Sequence, residues 1–132
     1  MIKIYIDAAY NPRNNKSGGG IVIVNTDKKE QQQLKIALQA GDNHTAEFKV
    51  MDYILQELAN QKLFNEMIMI HSDSKIVIQS IEKRYAQNDT FKDILAAILQ
   101  KADQFSLLFF NWIAEKENRG ADQLAKQALM LD

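Results

Sequence analysis

Isoleucine alternates with polar or amphipathic residues from the start of the chain. Ile2, Ile4 and Ile6 interleave with Lys3, Tyr5 and Asp7, the period-two signature of a strand with one apolar face. This predicts a first strand over residues 2–8 that ends on a carboxylate. Residues 11–17 carry Pro12, Asn14 and Asn15 without periodicity, which predicts a loop, and Gly18-Gly19-Gly20 then leads into the buried strand 21–24. After the polar turn Asn25-Thr26-Asp27, Leu34, Ile36, Leu38 and Ala40 alternate with Lys35, Ala37 and Gln39, as in a half-solvated antiparallel strand. Beyond Gly41-Asp42-Asn43 the period changes. Phe48, Met51, Ile54, Leu55 and Leu58 recur at three and four, predicting a helix over 44–60. The apolar run 67–70 is short enough for a buried strand and puts Asp73 at its carboxyl end. A helix over 74–84 follows, and another begins at Thr90, which with Asp93 resembles a capping box. The stripe of that helix is Phe91, Ile94, Leu95, Ile98, Leu99 and Ala102. Residues 107–112 make the last strand, and Ala121, Leu124, Ala125 and Ala128 mark the core face of a closing helix. The order βββαβααβα requires a mixed α/β sheet: close connections pair the first three strands antiparallel, while helical crossovers make right-handed parallel pairs.

Composition narrows this picture. A chain of 132 residues, 46% hydrophobic and 25% charged, suits one domain over 1–132 with a real core, and it shows no internal repeat, low-complexity segment or linker. The absence of cysteine excludes disulfide scaffolds, cysteine zinc clusters, thiol catalysis and redox sensing. No apolar run approaches the roughly 20 residues that span a bilayer. The first residues reach an aspartate at once rather than building a signal peptide, so the expectation is a cytoplasmic chain that starts at Met1 and has no membrane partner. Sixteen Lys and Arg against seventeen Asp and Glu leave a net charge of −1, so any site for a polyanion must be local.

The chemistry rests on acids placed where a fold does not need them. Glu47 lies four residues before Met51, so its carboxylate starts a stripe that otherwise packs on the sheet. Asp7 and Asp73 end two strands that the crossover rule can set side by side, and open α/β sheets bind ligands outside strand carboxyl ends. Asp122, in the first turn of the closing helix, can join them. Each acid also has an ordinary structural use. Asp7 would shape a turn, Asp73 would cap a helix, and Glu47 and Asp122 would complement helix dipoles. Taken together, converging carboxylates repel unless a cation neutralises them, and hard oxygen ligands suit Mg²⁺ or Mn²⁺. A pair of such ions can hold a phosphate between an attacking water and a leaving oxygen. The residues therefore point to metal-dependent phosphoryl transfer.

The segments IYIDAAY, NHTAEF, MIHSDS and NWIAEKENRGADQLAKQA resemble, in order and over nearly the whole chain, the four signatures of the ribonuclease HI family. The resemblance implies a five-stranded mixed sheet in the order 3-2-1-4-5, with helices on both faces. It implies cleavage of the RNA strand of an RNA–DNA hybrid to 3′-hydroxyl and 5′-phosphate ends, and two Mg²⁺ ions, with Mn²⁺ as a substitute, held by Asp7, Glu47, Asp73 and Asp122. Asp7 would bridge the ions, Glu47 and Asp73 would flank the one at the leaving oxygen, and Asp122 the one that activates water. Asn43 and His44 match the pair that reads 2′-hydroxyls in the minor groove, and Ala8, Ala9 and Asn14 fall at substrate-contact positions.

Departures from the family pattern set further expectations. His44 stands where Asn is usual, Ala8 where many members have Gly, and the segment 114–120 lacks the histidine that many use for proton transfer. Glu115 or Glu117 is a candidate replacement. The basic extra helix is missing after Arg84, leaving Lys75, Lys83, Arg84 and Lys92 as a modest patch and a weak grip on substrate. His71, two residues before Asp73, is expected to cover the sheet, with a place behind the metal ligands as the alternative, and Trp112 is expected to join the core, with support of the metal loop as the alternative. The alternative function is a catalytically silent module of the same fold that binds nucleic acid or protein.

Overall fold

The computed structural model describes residues 1–131; Asp132, the last residue of the expected domain, lies outside them. The opening alternation forms β1 (Ile2–Asn11), and the strands β2 (Lys16–Asn25), β3 (Glu30–Leu38), β4 (Met67–Ser72) and β5 (Leu107–Trp112) complete one sheet in the order β3-β2-β1-β4-β5. The pairs β1–β2 and β2–β3 run antiparallel, and β4 lies parallel to both β1 and β5. This is the topology that the sequence resemblance implies. The helices are α1 (Asn43–Asn60), α2 (Lys75–Lys83), α3 (Lys92–Ala102) and α4 (Arg119–Ala128).

Period two sends Ile2, Ile4 and Ile6 to one face, where with Ile68 and Ile70 they meet Phe48, Met51, Ile54, Leu55 and Leu58 of α1. Leu95 and Ile98 of α3 close the same core. The opposite face belongs to α4, which packs along β1, β2 and β3. On the outer side of the sheet beyond it, Met67, Leu107 and Phe109 stay exposed.

The triple glycine lies inside β2 rather than in a loop, and β1 runs on to Asn11, so the irregular segment expected over 11–17 shrinks to a turn over 12–15. Alternating contacts explain the glycines. A Cβ on Gly20 would sit 2.1 Å from the Ala121 carbonyl oxygen and one on Gly18 2.6 Å from the Ala128 Cβ, both on α4, whereas Gly19 faces Val50 of α1. Only a bare backbone lets a helix lie this close. Further along, β3 starts at Glu30 and ends at Leu38. Ala40 falls outside the strand, buried, with its N–H donating to Ser17 Oγ at 3.1 Å. The capping box expected at Thr90 does not form. Asn88 accepts from the Thr90 N–H at 2.9 Å, residues Asp89–Phe91 make a single 3₁₀ turn, and α3 starts at Lys92 without a side-chain cap. Asparagine already positioned to close a turn two residues on outcompetes the helical start.

Candidate active site

Strand register builds the site. Ile6 lies opposite Ser72 on the last rung of the parallel β1–β4 ladder, so Asp7 and Asp73 follow side by side as the strands diverge. Asp7 itself pairs with Gly20 and shares the α4 face of the sheet, where Asp122 stands in the first turn of that helix. Glu47 approaches from the other layer, in the second turn of α1, with its side chain only 13% exposed. Acids from two strands and two helices thus converge on one sheet end.

The ordinary uses of three of these acids are taken by their neighbours. Asp42 caps α1, accepting from the Thr45 N–H and hydroxyl at 2.8 Å each. Ser74 caps α2 by accepting from the Val77 N–H at 3.3 Å. Glu47 and Asp73 therefore have no capping duty, and β1 continues four residues beyond Asp7. Asp122 ion-pairs with Lys126 one turn on, at 2.9 Å.

Crowding shows in the proton affinities. Burial, then the charge of Asp73 and the contact with Asp122, push the Asp7 carboxyl up to about 8. Burial also raises Glu47, against hydrogen bonds from Ser74 and His44 that work the other way. Asp73 is raised by burial and by the charges of Glu115 and Asp122, opposed by a hydrogen bond from Asn118. A fold that held these groups only for stability would not gather them where each is harder to ionise.

The donor set fits a hard divalent cation: four carboxylates, partly desolvated, with no soft ligand among them. Among the described residues no group of three or more His, Cys, Asp or Glu side chains is arranged to hold a metal ion by itself. Four cavities of 190 to 550 Å³ are lined by residues other than the four acids. The acids stand at an open sheet end, suited to a polymer laid across it rather than to an enclosed small molecule.

The sequence profile of the RNase H family matches residues 1–130. The chain belongs to the ribonuclease H family. Membership makes it a ribonuclease H nuclease, a hydrolase. It is 43% identical over 129 residues to the Enterococcus faecalis protein named "Putative hydrolase EbsB", an overlap of 98% of this chain and 94% of that protein. Among solved structures, RNase H1 from Halobacterium salinarum superposes with a TM-score of 0.84 at 20% identity, covering 97% of this chain and 96% of the other. LC11-RNase H1 in complex with an RNA/DNA hybrid gives 0.84 at 23% identity, covering 98% and 96%.

In this ribonuclease H the expected substrate contacts fall in three places. Asn43 and His44 gather at Glu47: the His44 Nδ1 lies 2.9 Å from Glu47 Oε1, and the Asn43 amide donates to the same oxygen at 3.5 Å. Ala8 and Ala9 continue β1 past Asp7, and the Ala8 N–H donates to Asp7 Oδ1 at 2.9 Å. Asn14 stands apart. It sits in the β1–β2 turn, which opens about 13 Å beyond Asp7 at ~3.3 Å per residue, and its side chain accepts from the Lys16 N–H at 3.1 Å.

His71 covers the sheet as expected, stacked on Tyr5 with ring centroids 4.6 Å apart. Trp112 does not join the core. It is 43% exposed, donates Nε1–H to the Asp73 carbonyl at 3.1 Å and carries the Lys75 ammonium over its ring; its alternation matches that of Leu108 and Phe110, which pack on the core, but it is the last residue of β5. The basic patch is smaller than its residue count, since Arg84 is paired with Asp103 and Lys92 with Asp89. Glu115 lies near enough to act on Asp73 electrostatically. Asn118 escaped the sequence reading: it is 1% exposed and donates to the Ile6 carbonyl at 2.8 Å and to Asp73 Oδ2 at 3.4 Å. The only sequence signal was its place in ENRGAD, where a polar residue among charges reads as solvated.

Proposed function

We propose that the protein is an endoribonuclease that cuts the RNA strand of RNA–DNA hybrids by two-metal-ion hydrolysis, leaving 3′-hydroxyl and 5′-phosphate ends. In this reading residues 1–132 act as one domain in the cytoplasm. The observation that carries it is the Asp7–Asp73 pair at the end of the β1–β4 ladder, joined by Glu47 and Asp122, with the proton affinities of Asp7, Glu47 and Asp73 all raised. Asp7, Glu47, Asp73 and Asp122 would hold Mg²⁺, with Mn²⁺ as a substitute, and the bound ions would supply positive charge at the scissile phosphate and lower the pKa of water.

The chain's own groups account for the rest. Asp7 has its Oδ1 held by the Ala8 N–H, and as a carboxylate it would offer its other oxygen to a cation. The Ala8 N–H and the Ser74 hydroxyl orient the carboxylates of Asp7 and Glu47. Trp112 fixes the main chain of Asp73. Asn43 and His44, exposed at the mouth of α1, present donors to ribose 2′-hydroxyls, the groups that separate RNA from DNA. Glu115, beside Asp73, is placed to accept or return a proton in the absence of a histidine in 114–120.

The test is incubation of the purified protein in Mg²⁺ or Mn²⁺ with labelled hybrid, single-stranded RNA, duplex RNA and duplex DNA. Internal cuts confined to the RNA of the hybrid are expected. Metal-independent cutting, or equal cutting of duplex RNA, would overturn the proposal. Binding of hybrid without cleavage in either metal would favour the silent module.

A further inference from the structure

Asn118 precedes α4 at the position where asparagine ordinarily caps a helix, yet its side chain makes no capping hydrogen bond. Its contacts run to the acids instead. The amide nitrogen donates to the carbonyl of Ile6, the residue before Asp7, and to the Asp73 carboxylate, while the Asn118 main-chain carbonyl accepts from the Asp122 N–H at 3.0 Å in the first helical bond of α4. One buried side chain therefore touches the backbone beside Asp7 and the carboxylate of Asp73. We propose that Asn118 is a positioning residue whose side chain sets the spacing of the Asp7 and Asp73 carboxylates for metal binding, a role that rests on the proposed reading of the site.

The chemistry of the group fits the task. Ile6 offers an oxygen that can only accept, so the amide nitrogen, not the oxygen, must face it, and the same nitrogen has a second hydrogen for Asp73. The amide oxygen is left buried with no partner. An unpaired buried acceptor is destabilising, and an apolar side chain of similar volume would avoid it, so packing alone does not account for asparagine here. A lysine or arginine would donate as well but would cancel the charge the cation needs. A neutral amide orients a carboxylate and leaves its charge in place.

The test uses Asn118→Asp, which keeps the size, and Asn118→Ser, which keeps one donor, with Ile98→Ala as a control that weakens the core away from the acids. Folding is checked by circular dichroism, Mn²⁺ affinity is read without substrate from the free-Mn²⁺ electron paramagnetic resonance signal, and kcat and KM are measured on a hybrid. We expect Mn²⁺ affinity to fall about tenfold or more in the Asn118 variants, with kcat falling and KM held within about threefold. Ile98→Ala should retain wild-type affinity in its folded fraction. A folded Asn118 variant with wild-type Mn²⁺ affinity would overturn the role, as would an equal loss in Ile98→Ala. If wild type neither binds Mn²⁺ nor cuts hybrid, the proposed function falls and this role with it. If wild type does both and the folded Asn118 variants match it, only the role of Asn118 falls.

Discussion

The two ends of the β1–β4 pair are made of the same backbone and do opposite things. Through Ile2 and Ile4 against Ile68 and Ile70, the ladder is apolar on its inner face and closes the core, with Ser72 opposite Ile6 on the last rung as its first polar residue. One residue past the last rung, Asp7 and Asp73 set carboxylates side by side; burial raises the proton affinity of both, helped at Asp7 by the charge of Asp73 and at Asp73 by the charges of Glu115 and Asp122. The first end stabilises the fold by removing apolar surface from water. The second opposes folding whenever its acids are ionised and no cation is bound. A sheet end that destabilises its own protein in a defined protonation state is doing something other than folding, and the difference between the two ends locates function more sharply than either end alone.

Mutations at the two ends should therefore separate activity from stability. The largest effect expected is on cleavage: Asp7→Asn or Asp73→Asn should lower hybrid cutting by on the order of a thousandfold or more, since each removes a ligand charge at nearly constant volume. Their apo melting temperatures should hold or rise. Comparable cleavage by wild type and Asp73→Asn would break the comparison. At the other end, Ile70→Ala should cost about 2–5 kcal/mol in a denaturant titration, while its folded fraction keeps wild-type metal affinity. A loss of metal affinity there would show that the two ends are not separable.

Gly20→Ala links the two. Its Cβ would stand 2.1 Å from a backbone oxygen of α4, so the helix must shift, with a loss of about 3 kcal/mol. Because that helix carries Asp122, cleavage should fall beyond the loss of folded protein; normalising kcat to the folded fraction checks this.

A smaller effect is the pH dependence of the apo protein. An unfolded aspartate titrates near ~3.9, and folded Asp7 near about 8. Between these values the folded state holds a proton that the unfolded state has lost, so stability is greatest below the unfolded value and declines as pH rises towards the folded one. Allowing for partial exposure, a contribution on the order of 2 kcal/mol is expected. Denaturant titrations in EDTA across this range should show a decline that Asp7→Asn reduces, and an identical pH profile in the variant would contradict it.

Legibility in the sequence followed the strength of the physical signal. Period two in β1 and the three-and-four spacing in α1 placed those elements directly, and the resemblance supplied the strand order. Gly18–Gly20 misled because glycine carries no hydrophobic signal; its use here is to admit α4, a tertiary fact invisible to a local pattern. The polar start of β3 gives no alternation to read, and Glu30–Gln33 join the sheet only because Asn25–Val22 present a partner strand. At the site, the four acids could be singled out because a carboxylate on a core stripe or at a strand end is anomalous. Asn118 could not, because its burial and its bonds to Ile6 and Asp73 depend on where α4 begins in space. Trp112 went the same way: a large aromatic suggests core, but at the last position of β5 it stays 43% exposed, bonded to the Asp73 main chain and lying against Lys75.

The most direct test is the thermal stability of wild type and Asp7→Asn at pH 8, in EDTA and in millimolar Mg²⁺ or Mn²⁺. A ligand that binds only the folded state stabilises it by RT ln(1 + [L]/Kd), about 2.7 kcal/mol at a hundred times Kd and about 0.4 at Kd itself. The account predicts that wild type is the less stable protein in EDTA, gains stability with metal, and that Asp7→Asn starts higher and gains little. An equal metal-induced gain in both proteins would place the cation away from the β1–β4 end and contradict the central claim.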